Sequence, residues 1–225
     1  MYNVKNIIFK HIDIFKYKNM LIDITNLITK YNLKINGILH IGAHLCEEKN
    51  KYEENNINNV LWIEGNTNIV NKVKNQNQNI FILNYLVGDK NEENCKFNIS
   101  NNGQSSSVLE LGRHKILHPE VKYINHIYQN IYRLDYIYIK EKINENQYNF
   151  INLDIQGYEL NALKGLGNIL NNFEYVYTEV NKTKVYENCC LIEEIDEYLN
   201  DFNFKRVDTK WYNEWGDAFY IKIKK

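Results

Sequence analysis

Short apolar runs alternate with longer amphipathic stretches along most of this chain. Residues 37–41, 60–63, 80–87, 149–155 and 173–180 are continuously apolar or alternate with a period of two, and Gly, Asn, Asp or Glu punctuate their ends. Runs of that length and boundary chemistry predict buried strands. Met20, Leu21, Ile24, Leu27, Ile28 and Tyr31 recur at helical spacing and predict a helix over residues 19–31. The Glu- and Lys-rich segment 46–56 predicts a second helix, and Thr67 can cap a third that runs to residue 74. Further helices are predicted over 158–164, broken by Gly165 and Gly167, and over 191–199. From residue 37 to 87 the order is βαβαβ, which predicts a parallel sheet with helices on both faces.

The middle of the chain departs from that alternation. Residues 95–100 read as a strand, 101–107 (NNGQSSS) as a polar loop, and 108–120 as a mixed segment closed by Pro119. A strand at 125–133 and a helix over 134–143 follow. Residues 202–208 and 217–222 predict a closing antiparallel hairpin joined by a loop at 211–216. Residues 1–18 alternate weakly through Ile7, Phe9, Ile12 and Ile14 and fit a short strand or an added helix. The expected architecture is an α/β fold, with residues 1–36 as a helical or extended addition and 37–225 as the main domain.

Composition narrows the function classes. The 225 residues fit one domain of moderate size. No run of eighteen apolar residues is present, so no membrane span is expected. A net charge of −1 argues against a protein that wraps nucleic acid, where phosphate contacts demand a basic excess. Cys46, Cys95, Cys189 and Cys190 form neither C-x-x-C nor a zinc-spaced set. Reduced thiols and a cytoplasmic location are the expectation. Lys10 and Asp13 interrupt the apolar start, which does not read as a signal peptide.

Candidate chemistry gathers at strand ends. Gly42-Ala43 follows the first strand and makes a tight turn of the kind that lets a ligand approach the backbone. It lacks the G-x-G-x-x-G of dehydrogenases, so the βα order with a hairpin ending fits class I methyltransferases better. Glu64 ends the second strand, where a carboxylate can accept two hydrogen bonds from a ribose diol. Asp89 follows the third, either near an adenine or simply as a turn residue. Asp154 ends the next strand, with Gln156 and Glu159 at once after it; Asp154 or Glu159 can orient or deprotonate an acceptor hydroxyl, or Asp154 can cap the following helix. Glu179 adds a second carboxylate to the rim. Such a pair can divide base and orienting roles or hold a divalent ion, but no His is placed by spacing, and no metal is expected. His40 on an apolar strand reads as a satisfied core residue, and His44 as better exposed. Ser105, Ser106 and Ser107 can bond a ligand or simply face solvent. Trp211, Tyr212 and Trp215 can stack on a sugar or a base, or pack the hairpin.

Read in order, HIGAH, LWIEGN, VGDKNE, SNNGQSSSVLE, NLDIQGYELNALKG, YTEVN and WGDAFYI resemble the FkbM-type family of S-adenosylmethionine-dependent methyltransferases. The resemblance spans about residues 37 to 223 and is most specific at 154–165. It implies a Rossmann-like class I methyltransferase fold with S-adenosyl-L-methionine as cofactor. It implies O-methylation of a sugar, glycan precursor or other small hydroxylated acceptor. By position, His40, Gly42, Ala43 and Glu64 would contact the cofactor, with Asp89 near the adenine. Asp154 and Glu159 would lie by the acceptor, with Glu179, Ser105, Ser106, Gln156 and Trp215 around it. His40 stands where an Asp is common. Gln156 stands where the family often has the first Glu of D-x-E-G-x-E, which leaves Asp154 as the first candidate base. Two other readings remain open. An RNA ribose 2'-O-methyltransferase would need a basic groove and a lysine-centred catalytic set, and Lys164 lies in a structural L-K-G context. A non-catalytic cofactor-binding or scaffold module is permitted by His40 and Gln156.

Overall fold

The structure, a computed structural model, describes residues 22–77 and 79–223. The expectations for residues 1–18, and the first residues of the helix expected over 19–31, lie outside the described residues. Helix α1 (Ile24–Tyr31) starts where Asp23 accepts hydrogen bonds from the N–H groups of Thr25 and Asn26, and it ends at Asn32 with φ 51°. It packs on the main sheet: the Tyr31 ring lies 5.7 Å from that of Phe219, and Lys30 pairs with Asp208 at 2.7 Å.

Strand β1 (Ile38–Ile41) is buried at all four positions because both sheet faces are covered, which is why its sequence is continuously apolar rather than alternating. Helix α2 (Lys49–Glu54), strand β2 (Val60–Glu64) and helix α3 (Thr67–Gln76) follow. The α3 cap is Asn66, whose side chain accepts from the Asn68 N–H, and Thr67 is the first helical residue.

The run expected as one strand over 80–87 is two. Strand β3 (Ile82–Asn84) extends the main sheet beside β2. The Tyr85 N–H then bonds the Glu64 carbonyl at 3.1 Å, and the chain turns into β4 (Leu86–Val87) of a second sheet. That three-stranded sheet is completed by β5 (Glu92–Ser100) and β6 (Tyr123–Tyr132), with the short α4 (His114–Leu117) between them. Helix α5 (Leu134–Lys140) leads back to the main sheet.

Strand β7 (Phe150–Leu153) lies against the other side of β1, and β8 (Tyr175–Asn181) against β7, both parallel. Between them, α6 (Glu159–Leu166) runs straight through Gly165 and ends at Gly167, φ 54°. Gly165 is therefore not a helix breaker. A Cβ there would lie 2.2 Å from the Gly88 carbonyl oxygen, so the glycine lets α6 press against the turn after β4. Helix α7 (Ile192–Asp201) precedes β9 (Phe204–Tyr212) and β10 (Trp215–Lys222), which form the expected hairpin. Its loop is shorter than expected. Tyr212 pairs with Trp215 and Trp211 with Gly216, leaving Asn213-Glu214 as the turn, with Asn213 at φ 54°.

The main sheet has the order β3-β2-β1-β7-β8-β10-β9, parallel as far as β8 and antiparallel at β10 and β9. One face buries Leu39, Ile151 and Val176 beneath Ile137 of α5, Leu163 of α6 and Ile195 of α7. The other buries Ile38, Trp62 and Phe150 beneath Leu27 of α1, Tyr52 of α2 and Val70 of α3. This is the expected α/β layering, with a mostly parallel sheet between helices and a C-terminal hairpin. Among the described residues, no helix is long and apolar enough to cross a membrane.

Candidate active site

The chain leaves β1 toward β2 and leaves β7 toward β8, on opposite sides of the central pair. At such a reversal the two following turns diverge and a crevice opens beyond the carboxyl ends of the strands. Gly42 lies at its floor with φ +86°, and a Cβ there would come within 1.7 Å of the Asp154 carbonyl oxygen. The N–H groups of Gly42 and Ala43 both bond the Ile63 carbonyl, at 2.9 and 3.0 Å, and Ala43 is buried. This turn is thus fixed by its neighbours on both sides.

Glu64 ties the first two turns together. Its Oε2 accepts from the His44 N–H at 2.8 Å and its Oε1 from the Asn66 N–H at 2.6 Å. The side chain is nearly buried, and burial pushes its pKa up. A carboxylate has about four lone-pair sites, so two protein donors leave capacity for a hydroxylated ligand. Asp89 follows Gly88 at the third turn, half-buried, with its carbonyl accepting from Arg133 Nη1 at 2.7 Å.

His40 is placed in the core. Its Nδ1 lies 3.0 Å from the Tyr52 hydroxyl and its ring 4.6 Å from that of Trp62. Burial drives its pKa down to about 3, so the ring is neutral. The Tyr52 hydroxyl also accepts from Asn152 Nδ2 at 2.6 Å, which links His40 to the neighbouring strand rather than to the rim.

Asp154, Glu159 and Glu179 converge. One oxygen from each lies within 4.8 Å of the others; Asp154 is exposed and the two glutamates are buried. Gln156 and Gly157 both have positive φ, 59° and 98°, and this double left-handed turn folds the Gln156 amide back over the carboxylates. Its Nε2 donates to Asp154 Oδ1 at 2.6 Å and to Glu179 Oε2 at 2.8 Å, while its Oε1 accepts from the Tyr186 hydroxyl at 2.5 Å. Glu159 holds the turn from inside, its Oε1 accepting from the N–H groups of Ile155 and Gly157, both at 3.0 Å. Burial and then the Asp154 charge push Glu159 up to about 7. Burial, then Asp154 and Glu159, push Glu179 well above its ordinary value.

Sequence reasoning missed two further acids here. Asp217 on β10 pairs in register with Glu179 and is buried; burial pushes it to about 7, and it accepts from the Tyr177 hydroxyl at 2.8 Å. Its signal was a carboxylate inside an apolar strand, which is seldom there for packing. Glu48, just before α2, is pushed to about 7 by burial and then by Glu47 and Asp154.

The serine loop reaches this site. Ser107 Oγ donates to the Gln156 carbonyl at 2.9 Å. Gly103 lies against His44, since a Cβ there would sit 3.2 Å from its Nε2. Ser105 and Ser106 bond within the loop, to Asn102 at 3.0 Å and to Gly103 at 2.8 Å, and so set its shape. The loop therefore spans the turns after β1 and β7. Trp215 pairs in register with Asn181 and packs beside the cluster that holds Tyr186.

Comparison with known proteins agrees with this fold. Residues 38–206 match the family described as Methyltransferase FkbM domain. Among solved structures, an S-adenosylmethionine-dependent methyltransferase from Clostridium acetobutylicum is similar at 9% identity, covering 99% of this chain and 100% of that one, with a TM-score of 0.50. A SAM-dependent methyltransferase from Aquifex aeolicus is similar at 13% identity, 91% and 92% coverage, and a TM-score of 0.44. A magnesium protoporphyrin IX methyltransferase from Synechocystis is similar at 8% identity, 83% and 69% coverage, and a TM-score of 0.43. No curated protein sequence matches the chain. The family match covers well over half of the sequence, and its span holds β1 through the start of β9 together with Glu64, Asp154, Glu159 and Glu179, so this chain belongs to the FkbM methyltransferase family.

Proposed function

We propose that the chain transfers a methyl group from S-adenosyl-L-methionine to a hydroxyl of a sugar, glycan precursor or other small hydroxylated acceptor. Residues 37–225 form the catalytic domain in this reading, with 1–36 as an addition. The observation that carries it is the meeting of exposed Asp154 with buried Glu179 at the reversal point, beside Glu64 at the adjacent strand end. The donor set fits the cofactor: an acid-lined crevice suits a sulfonium and an ammonium, and Glu64 suits a ribose diol. When bound, the cofactor supplies a methyl group on a good leaving group, so the protein's task is placement and exclusion of water.

The chain's own residues divide that task. Gly42 and Ala43 form the floor, Glu64 receives the ribose hydroxyls, and Asp89 stands at the adenine end. Asp154 takes the proton from the acceptor hydroxyl as the new C–O bond forms. Glu179 positions Asp154 through the shared Gln156 amide, and Glu159 fixes the turn that carries both. Ser105, Ser106 and Trp215 border the acceptor side.

Cofactor at millimolar concentration is expected to raise the melting temperature. Glu64→Ala is expected to weaken cofactor binding by a factor of about 10² or more, from two charge-assisted hydrogen bonds of roughly 1.5–3 kcal/mol each. The melting temperature of the cofactor-free variant separates that loss from loosening of the two turns. Transfer of labelled methyl to a panel of hydroxylated acceptors, with the product methyl located on oxygen, tests the acceptor class. No thermal shift with either the cofactor or its demethylated product sinks the reading.

A further inference from the structure

We propose that Asp154, Glu159 and Glu179 bind a divalent cation of the Mg²⁺, Mn²⁺ or Ca²⁺ type. One oxygen from each lies within 4.8 Å of the others. Oxygens on one ion can be separated by at most twice the metal–oxygen length, roughly 4.6–5.2 Å for Ca²⁺ and about 4.2 Å for Mg²⁺, so these three meet the limit for Ca²⁺ as they stand and would draw slightly closer around a smaller ion.

Two buried groups without hydrogen-bond partners, one inside the cluster and one two residues beyond Glu179, point to a ligand. Glu159 Oε2 is fully buried and has no hydrogen-bond partner, although Oε1 of the same carboxylate takes two backbone N–H groups. Asn181 is fully buried, and neither its amide oxygen nor its amide nitrogen has a partner. It lies two residues beyond Glu179 on β8, on the same sheet face and nearer the crevice. Buried polar atoms without partners are rare in folded proteins, and a ligand that accepts them is the direct explanation.

The donors at the cluster are all oxygens: three carboxylates and, once its amide turns over, Gln156 Oε1. An oxygen-only set selects hard cations over zinc or copper. The Gln156 amide nitrogen now bridges Asp154 and Glu179, the position that a cation would take between them. A cation held there would offset the crowded carboxylates and leave positions for oxygens of the acceptor, which favours acceptors with adjacent hydroxyls. That last step rests on the proposed methyl transfer; the cation site does not.

The test uses the full chain, stripped with a chelator and titrated with Mn²⁺ while free Mn²⁺ is followed by electron paramagnetic resonance, without cofactor. One saturable site per chain is expected, with a Kd below about 1 mM, displaced by Mg²⁺ or Ca²⁺. Asp154→Asn and Glu179→Gln are each expected to weaken it about tenfold or more. Asp154 is exposed, so its variant keeps the fold, and Glu53→Gln, on the surface of α2, is expected to leave binding unchanged. Absence of saturable binding, or binding unaffected in both site variants, overturns the proposal. A cofactor thermal shift measured in chelator reads the methyltransferase proposal separately.

Discussion

Gly42→Ala is expected to lower the stability of this protein by about 4 kcal/mol or more and to abolish the cofactor-induced thermal shift. Two effects combine. The residue has φ +86°, where a Cβ alone costs roughly 1–2 kcal/mol. The added Cβ would also sit 1.7 Å from the Asp154 carbonyl oxygen. That atom is backbone, so no rotamer change relieves the clash; the turns after β1 and β7 must part. Separation breaks the Asp154 N–H···Ile41 carbonyl bond of 3.0 Å and strains the Gly42 N–H bond to Ile63. At this chain length the melting temperature should fall by about 8–16 °C. Gly103→Ala is the matched control. It also has positive φ, 78°, but its Cβ would meet only the His44 side chain at 3.2 Å, which can move. A loss of about 1 kcal/mol is expected there. Urea unfolding of both variants decides the matter, and a Gly42→Ala variant within 1 kcal/mol of the parent would falsify the account of the crevice floor.

The contrast between those glycines shows what the sequence carried. The turn at Gly42 was legible as a turn because an apolar run stops there, but its reason was not: the constraint comes from Asp154, over a hundred residues on. The same holds for Gly165, which reads as a helix breaker until Gly88 is seen against it. The central strands were legible because burial on both faces leaves an unbroken apolar run. Residues 80–87 misled for the same reason. Their apolar pattern continues while their hydrogen-bond partners change, from β2 to β6, and side-chain pattern is blind to backbone partners. Asp154, Glu159 and Glu179 stood out because each marks a strand end or helix start beside polar residues. Asp217 stayed hidden because what brings it to the site is register with Glu179, a property of pairing between distant segments. His40 reads as a core residue from its apolar neighbours, and in the fold it is buried beside the Tyr52 hydroxyl.

The crowding of acids gives the second large effect, a stability maximum in mildly acidic solution for the cofactor-free protein. Glu159 and Asp217 titrate at about 7 in the fold, against ordinary values of 4.5 and 3.8, as does Glu48, and Glu179 is pushed well above its ordinary value too. Between the two values the folded chain holds protons that the unfolded chain has released. The stability this adds is fully present below about pH 4 and is lost as pH rises through 7. His40 and His114 act oppositely, at about 3 and about 4 in the fold against 6.5. The unfolded chain takes up protons that the folded one refuses, so stability falls as pH drops below 6.5. Between about pH 4 and 6.5 the two sets oppose each other, and four acids outweigh two histidines, which places the maximum at the acid end of that interval, near about pH 4–5. A shift of one unit corresponds to 1.36 kcal/mol, and the acids share one charge cluster, so their effects do not simply add. A fall of about 2–4 kcal/mol from pH 5.5 to 8 is expected. Glu179→Gln removes one charge from the cluster while keeping a group that can bond Gln156. It should be near neutral at pH 5 and stabilise by about 1–2 kcal/mol at pH 8. Urea unfolding at pH 5, 6, 7 and 8, in chelator and without cofactor, reads both effects. Stability that climbs steadily to pH 8, or a Glu179→Gln variant that loses more at pH 8 than at pH 5, rules out a crevice held together against its own charge.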